Sequence, residues 1–277
     1  MTKNIWLICK YAVPEKYFSG TRHFYLAEEW VKNGNNVTIF TSNSSHQNNE
    51  LPQFSGRRKL EYINGILTVW INLIKYKKSS SYNRVLSWLQ FEWKILSASK
   101  KQFPNPEIII ISSLSILSIV SGFLLSRWFK ARFIIEIRDI WPLSAIQLGG
   151  YKANHPFMWL LGKLERFGYR KADVIVGTMP NLAEHVNEVE PRFKSCICIP
   201  QGIKKEHLFR IEPLSLNYTE ATFSSKTFKV VYAGTLNINN PIEVLLKAVA
   251  SFSKEEKVEA YILGSGNMLE TYKRKYA

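Results

Sequence analysis

Ile108-Ile109-Ile110-Ile111-Ser112-Ser113-Leu114-Ser115-Ile116-Leu117-Ser118-Ile119-Val120-Ser121-Gly122-Phe123-Leu124-Leu125 runs for 18 residues without a charge. By length alone it admits a helix that crosses a bilayer. Its texture argues otherwise. Four isoleucines are a β-branched run, the serines at 112, 113 and 115 make a turn, and Ile116–Phe129 has helical character. The segment reads as strand, turn and helix, the repeating unit of a parallel α/β sheet.

The same alternation extends in both directions. Asn4–Tyr11 is an apolar strand, and a helix follows from about Thr21 to Asn33, with Phe24, Ala27 and Val31 on one face and Gly34 as its stop. Val37–Thr41 is a second strand. Leu60–Ile63 and Ile66–Ile71 flank Asn64-Gly65, a hairpin turn pair. Arg84–Lys101 is helical with a Val85, Leu89, Trp93, Leu96 stripe. The strand Arg132–Ile137, the helix His155–Lys171, the strand Asp173–Val176, the helix Pro180–Val189 and the strand Ser195–Ile199 complete a first lobe over 1–210. Such alternation gives a mostly parallel sheet with helices on both faces.

Ile211–Thr227 is rich in Ser, Thr, Asn and Glu and reads as a linker, 211–227. A fresh unit, 228–277, then begins. Phe228–Tyr232 is a strand ending in Ala233-Gly234-Thr235, and Pro241–Phe252 is a helix. Val258–Leu263 is a strand ending in Gly264-Ser265-Gly266, and Asn267–Tyr276 opens another helix. Two strands make a small sheet, so this unit reads as the incomplete start of a second lobe.

Composition excludes several classes. The 277 residues are 46% hydrophobic and 21% charged, which rules out wholesale disorder. Residues 1–150 carry 19 basic and 9 acidic side chains, and residues 151–277 carry 18 and 13. The first lobe therefore holds most of the net charge of +15 and is expected to meet something anionic. Three cysteines, Cys9, Cys196 and Cys198, sit inside apolar runs and do not make a secreted disulfide framework. Cys196-x-Cys198 lacks a second pair at zinc spacing, so no metal is expected. The apolar stretch Ile5–Cys9, closed by Lys10, is too short for a signal peptide.

Open α/β sheets bind ligands beyond the carboxyl ends of their strands. Ser19-Gly20-Thr21 stands before the first helix, where Gly20 lets a phosphate approach the helix N-terminus; Arg22 and His23 add donors. The same residues would also make an ordinary N-cap turn. Glu136-Ile137-Arg138-Asp139 ends an apolar strand. There Asp139 can bind a sugar hydroxyl or act as a base and Arg138 can hold a phosphate, or an Arg–carboxylate pair simply fixes the loop. Gly234-Thr235 and Gly264-Ser265-Gly266 put backbone N–H groups at helix starts, suited to phosphates. A nicotinamide enzyme is not expected, because G-x-G-x-x-G is absent. Leu124–Phe133 and Leu161–Lys171 mix Arg and Lys with Trp, Phe and Tyr. They fit either docking on an anionic membrane or a solvated basic face over a core stripe. No nucleic-acid motif occurs.

Taken together, Tyr17–His23, Leu26–Trp30, Val37–Thr41, Arg138–Ser144 with Leu148–Gly150, Lys171–Val176, Ile199–Ile203, Val231–Leu236 and Ile262–Gly266 resemble bacterial glycosyltransferases of family four. The similarity is to the fucosaminyltransferase-like group of O-antigen and capsule clusters. The resemblance implies a GT-B fold: a Rossmann-like N-terminal lobe holding the acceptor, followed by the first part of a second Rossmann-like lobe for the donor. It implies retaining transfer from a nucleotide-sugar to a lipid-linked or glycan acceptor, without a metal or other cofactor, in the cytoplasm and peripheral on the inner membrane. Gly20 would lie near the donor diphosphate, with Thr21 and Arg22 beside it. Arg138 and Asp139 would face the transferred sugar, Gly234 and Thr235 the pyrophosphate, and Gly264, Ser265 and Gly266 the base. Two departures stand out. Relatives carry an Arg and a Lys-Gly where this chain has Thr235 and Asn240-Pro241, and their paired-glutamate donor motif falls beyond Ala277. The expectation is weak donor binding and slow turnover for the chain alone, with a separate C-terminal half as a partner. The alternative is a non-catalytic module that binds acceptor or membrane.

Overall fold

The structure, a computed structural model, describes residues 1–17, 22–45, 51–76, 81–97, 102–112, 116–147, 150–209, 226–237, 240–253 and 256–276. Gly20, Thr21 and most of the expected linker 211–227 lie outside them. The chain divides into two compact units, Met1–Phe209 and Arg210–Ala277.

In the first unit the strands are β1 (Asn4–Ile8), β2 (Asn36–Ser42), β3 (Arg58–Ile63), β4 (Ile66–Ile71), β5 (Ile108–Ser112), β6 (Arg132–Ile137), β7 (Val174–Gly177) and β8 (Cys196–Cys198). They form one sheet in the order β3-β4-β2-β1-β5-β6-β7-β8. Every pairing is parallel except β3 with β4. That hairpin turns at Asn64 and Gly65, both with positive φ (49° and 79°), the backbone that Asn-Gly adopts at least cost. The helices are α1 (Arg22–Lys32), α2 (Tyr82–Leu96), α3 (Ser118–Phe129), α4 (Leu143–Gln147), α5 (Pro156–Lys171), α6 (Leu182–Val189) and α7 (Lys205–Phe209). Ser81 caps α2 by accepting from the Asn83 N–H, and His155 caps α5 ahead of Pro156.

Ile108–Ser112 is a strand and Ser118–Phe129 a helix, with Ser113, Leu114 and Ser115 of the expected turn outside the described residues, and among the described residues no helix is long and apolar enough to cross a membrane. Side chains alternate across the sheet, as the pleat requires. Trp6 and Ile8 of β1 join a core with Phe91 and Ile95 of α2, Ile119 and Leu125 of α3, and Leu161 and Tyr169 of α5. Ile5, Leu7 and Cys9 face the other way, onto Phe24 and Ala27 of α1. One expectation is corrected here. The Val85, Leu89, Trp93, Leu96 stripe is not the inward face of α2. Leu89 and Trp93 are 54% and 57% exposed, and Ser87, Phe91 and Ile95 are buried. Both stripes have helical spacing, and periodicity does not say which one meets the sheet.

The second unit contains β9 (Phe228–Ala233) and β10 (Val258–Leu263), paired in parallel, with helices α8 (Glu243–Ala250) and α9 (Leu269–Tyr276). Its core is small: Leu236, Ile242, Leu246 and Tyr272, with Tyr232 and Ile262 packed against them.

Candidate functional site

In the first unit the chain runs from β1 outward through β2 to β4, then returns to place β5 on the other side of β1. The carboxyl ends of β1 and β5 therefore mark the point where strand order reverses, the place such sheets use for ligands. A buried polar cluster lies there. Arg22 and His23, the first residues of α1, turn onto Glu136 of β6. Arg22 Nε donates to Glu136 Oε1 at 2.8 Å, and His23 Nε2 lies 3.2 Å from Glu136 Oε2 and 2.8 Å from Ser112 Oγ. Arg22 Nη1 and Nη2 donate to the carbonyls of Pro200 (2.6 Å) and Ile199 (2.8 Å). Cys9 completes the group, and all five side chains are buried.

The electrostatics follow from this packing. Burial pushes the Glu136 carboxyl up, but His23 and Arg22 outweigh it and hold it at about 2. Burial pushes His23 down, but Cys9 and Glu136 raise it to about 9, so the imidazole is protonated at neutral pH. Burial also works against the Cys9 thiolate, and His23, the Tyr11 backbone and Arg138 bring that thiol below its ordinary range.

Arg22 thus differs from its sequence expectation. At least three of its five N–H groups are engaged within the protein, and the side chain is 3% exposed. It ties the start of α1 to β6 and to the segment after β8. The Arg–carboxylate pair is real, but it joins Arg22 to Glu136 and does not involve Arg138 or Asp139. Those two stand just beyond the pair, Arg138 half-buried and Asp139 exposed.

A second cluster went unread in the sequence. Lys10, directly after the β1 segment, is 2% exposed. Its Nζ donates to Tyr76 Oη (3.1 Å) and the Ser44 carbonyl (3.3 Å) and lies over the Tyr11 and Tyr76 rings at 4.3 and 4.9 Å. Trp88 Nε1 donates to Tyr11 Oη at 2.7 Å. Burial, with Arg84 nearby, lowers Lys10 to about 7. Burial raises Glu92 to about 7, against Ser118 Oγ at 2.5 Å and Ser121. The signal was available, since a lysine ending a buried strand meets the same criterion that singled out Arg138 and Asp139.

In the second unit both glycine loops lie at the carboxyl ends of their strands, and they pack on each other. Gly234 N–H donates to Leu263 O (2.9 Å), Leu236 N–H to Ser265 O (2.9 Å) and Met268 N–H to Leu236 O (3.0 Å). A Cβ on Gly264 would lie 1.9 Å from Gly234 O, and one on Gly266 2.0 Å from Leu236 O. These glycines are required by backbone packed against backbone, while Thr235 and Ser265 stay exposed at the lip. Gly264→Ala is therefore expected to cost the second unit about 1–3 kcal/mol, with Ser265→Ala near neutral. Calorimetric scans of the two variants check this.

No family model matches the sequence, and no curated protein does. Solved structures do. Sucrose-phosphate synthase from Thermosynechococcus elongatus matches 99% of this chain and 68% of its own, at 17% identity and a TM-score of 0.67. An α,α-trehalose-phosphate synthase (UDP-forming) from Burkholderia vietnamiensis matches 99% of this chain and 66% of its own, at 10% identity and a TM-score of 0.63. HepE from Anabaena, in complex with UDP and glucose, matches 99% of this chain and 64% of its own, at 12% identity and a TM-score of 0.59. This chain spans about two thirds of the length of these proteins. The likeness shows its fold: the α/β, Rossmann-like architecture of GT-B glycosyltransferases.

Proposed function

We propose that this chain is a nucleotide-sugar-dependent glycosyltransferase polypeptide of the family-four type. It serves the assembly of a bacterial surface polysaccharide, O-antigen or capsule, at the cytoplasmic face of the inner membrane. The observation that carries the reading is the run of two successive Rossmann-like units, matched over 99% of the chain by sugar-transferring enzymes. Their charged and glycine-lipped strand ends support it. UDP is the first nucleotide to try, because HepE has been solved in complex with UDP and glucose and with UDP-glucose.

On this reading the second unit takes the diphosphate and base at Gly234, Thr235, Gly264, Ser265 and Gly266. The first unit presents the acceptor. The bond between the anomeric carbon and the leaving phosphate oxygen breaks, and a bond to the acceptor hydroxyl forms on the same face. The hydroxyl proton passes to the departing phosphate. Arg138 stabilises the charge that develops on the diphosphate, and Asp139 orients a sugar hydroxyl. The Arg22–His23–Glu136 cluster does no chemistry; it fixes the strand ends from which Arg138 and Asp139 project.

The test is acceptor-dependent release of nucleoside diphosphate from UDP-, GDP- and dTDP-sugars. Release from one nucleotide class, with the α or β configuration of the donor kept in the product, is expected. Inversion would overturn the retaining step. No release by the chain, alone or with a separate C-terminal half, would overturn the enzyme.

A further inference from the structure

We propose that the cluster around Lys10 is a subsite for an acid group, carboxylate or phosphate, on the molecule that the first unit holds, with Arg84 and Tyr11 as its contacts. Three loops and a helix build it. Lys10 follows β1, Ser44 follows β2 and Tyr76 follows β4, while Arg84 and Trp88 come from the first two turns of α2. The loops thus leave the carboxyl ends of their strands, the edge where such sheets take ligands.

Lys10 is the residue that points to an anion. A lysine this deeply buried ordinarily sits against a carboxylate. This one bonds to neutral oxygens, Tyr76 Oη and the Ser44 carbonyl, and no carboxylate among the described residues pairs with it. A second cation, Arg84, repels its charge. The two acids that act on Lys10 are turned elsewhere: Glu92 bonds to Ser118 and Ser121, and Cys9 is engaged by His23. Two like charges therefore share a nearly dry place, where an arriving anion is attracted more strongly than in water.

The outer wall has the donors to hold it. Tyr11, Arg84 and Trp88 are half-buried, over the buried Lys10 and Tyr76. The Arg84 guanidinium lies 5.1 Å over the Trp88 ring, and Trp88 Nε1 donates to Tyr11 Oη. A planar fork steadied on an aromatic face can give an oxyanion two parallel hydrogen bonds. The Tyr11 and Tyr76 hydroxyls are 3.2 Å apart. With Lys10 donating to Tyr76 and Tyr76 to Tyr11, the Tyr11 oxygen accepts twice and its own O–H is left to donate outward. An oxyanion, which only accepts, is the matching ligand. Lys10 acts through the two tyrosines and is a positioning residue. The proposed function enters only in naming the bound molecule as the acceptor.

The charges give the subsite a pH dependence of one sign. Burial and Arg84 lower Lys10 to about 7, and burial raises Glu92 to about 7. As the pH rises, the first loses a positive charge and the second gains a negative one, and any ionisation of Cys9 adds to the same trend. Arg84 keeps its charge, and burial keeps Tyr76 neutral. Anions should bind less tightly above neutral pH.

The experiment is an NMR titration of the full chain carrying carbon-13 at lysine Cε, with the Lys10 signal assigned from Lys10→Met. The probes are methyl glucuronide, glucosyl phosphate and the uncharged methyl glucoside. The Lys10 midpoint should climb from about 7 to about 8 with an anion that fits and stay in place with the glucoside. By linkage, the affinity for the glucuronide, ionised throughout, should then fall about fivefold between about pH 6 and about pH 8, and less steeply in Lys10→Met. Arg84→Gln should weaken the anion at least about tenfold and leave the glucoside unchanged. A response to the glucuronide alone identifies a carboxylate, and a response to the phosphate alone identifies a phosphate. A Lys10 midpoint that neither anion moves would overturn the proposal, as would glucoside binding as tight as that of the anions. No donor and no turnover enter the titration, so its failure and that of the proposed activity are read separately.

Discussion

Glu136→Ala unfolds the first unit more readily by about 3–5 kcal/mol, because it leaves Arg22 and the protonated His23 buried without their shared carboxylate. Glu136→Gln keeps a hydrogen-bond acceptor but no charge and should fall between. Removing Arg22 as well, as Arg22→Met with Glu136→Leu, should cost less than the sum of the two single changes, since it withdraws both charges. Urea denaturation reads all of these. The pH dependence has two limbs. Glu136, held at about 2 in the fold against an ordinary 4.5, contributes stability above 4.5 that is lost as the pH falls through 2. His23, raised to about 9 from 6.5, contributes stability below 6.5 that is lost as the pH rises through 9. The cluster's contribution is greatest between those ordinary values. The alkaline limb should shrink in Glu136→Ala and persist in part, because Cys9 also raises His23.

Arg138→Ala has the largest effect expected on turnover, a fall of about 10²–10³-fold, the usual result of deleting one donor that stabilises charge in the transition state. Its side chain is half-buried at the end of β6 and spans no core, so the melting temperature should hardly move. Arg138→Lys, which keeps the charge but not the planar fork, should recover part of the rate. Paired with Glu136→Ala, this variant separates the two roles. One change lowers stability and the other lowers turnover, although only two residues lie between them in sequence.

Much of the sheet was legible from local chemistry. Ile108–Ile111 is a strand because four β-branched residues in a row favour one, and Asn64-Gly65 turns the hairpin because its φ values must be positive. The charged end of β6 stands out locally, because Glu136, Arg138 and Asp139 close an otherwise apolar strand. What was not legible depends on distance in sequence. Nothing local says that Arg22 meets Glu136, 114 residues away, or that Ile199 and Pro200 turn their carbonyls to the same guanidinium. Read locally, Arg22 is a free donor beside a helix N-terminus. The single-turn helices Leu143–Gln147 and Lys205–Phe209 are too short to show a period. The same ambiguity misled the reading of α2, where Leu89 and Trp93 have the spacing of a core stripe and face outward.

The central claim, that the glycine-lipped strand ends of the second unit hold a nucleotide diphosphate, is tested most directly by melting the chain with UDP-, GDP- and dTDP-sugars. Even a weak site, at ligand ten times its Kd, stabilises the native form by about 1.4 kcal/mol. The account predicts an upward shift with one nucleotide class in the wild type and no shift in Gly264→Ala, whose Cβ would press on the Gly234 carbonyl. A well-folded wild type that melts at one temperature with every nucleotide would contradict it.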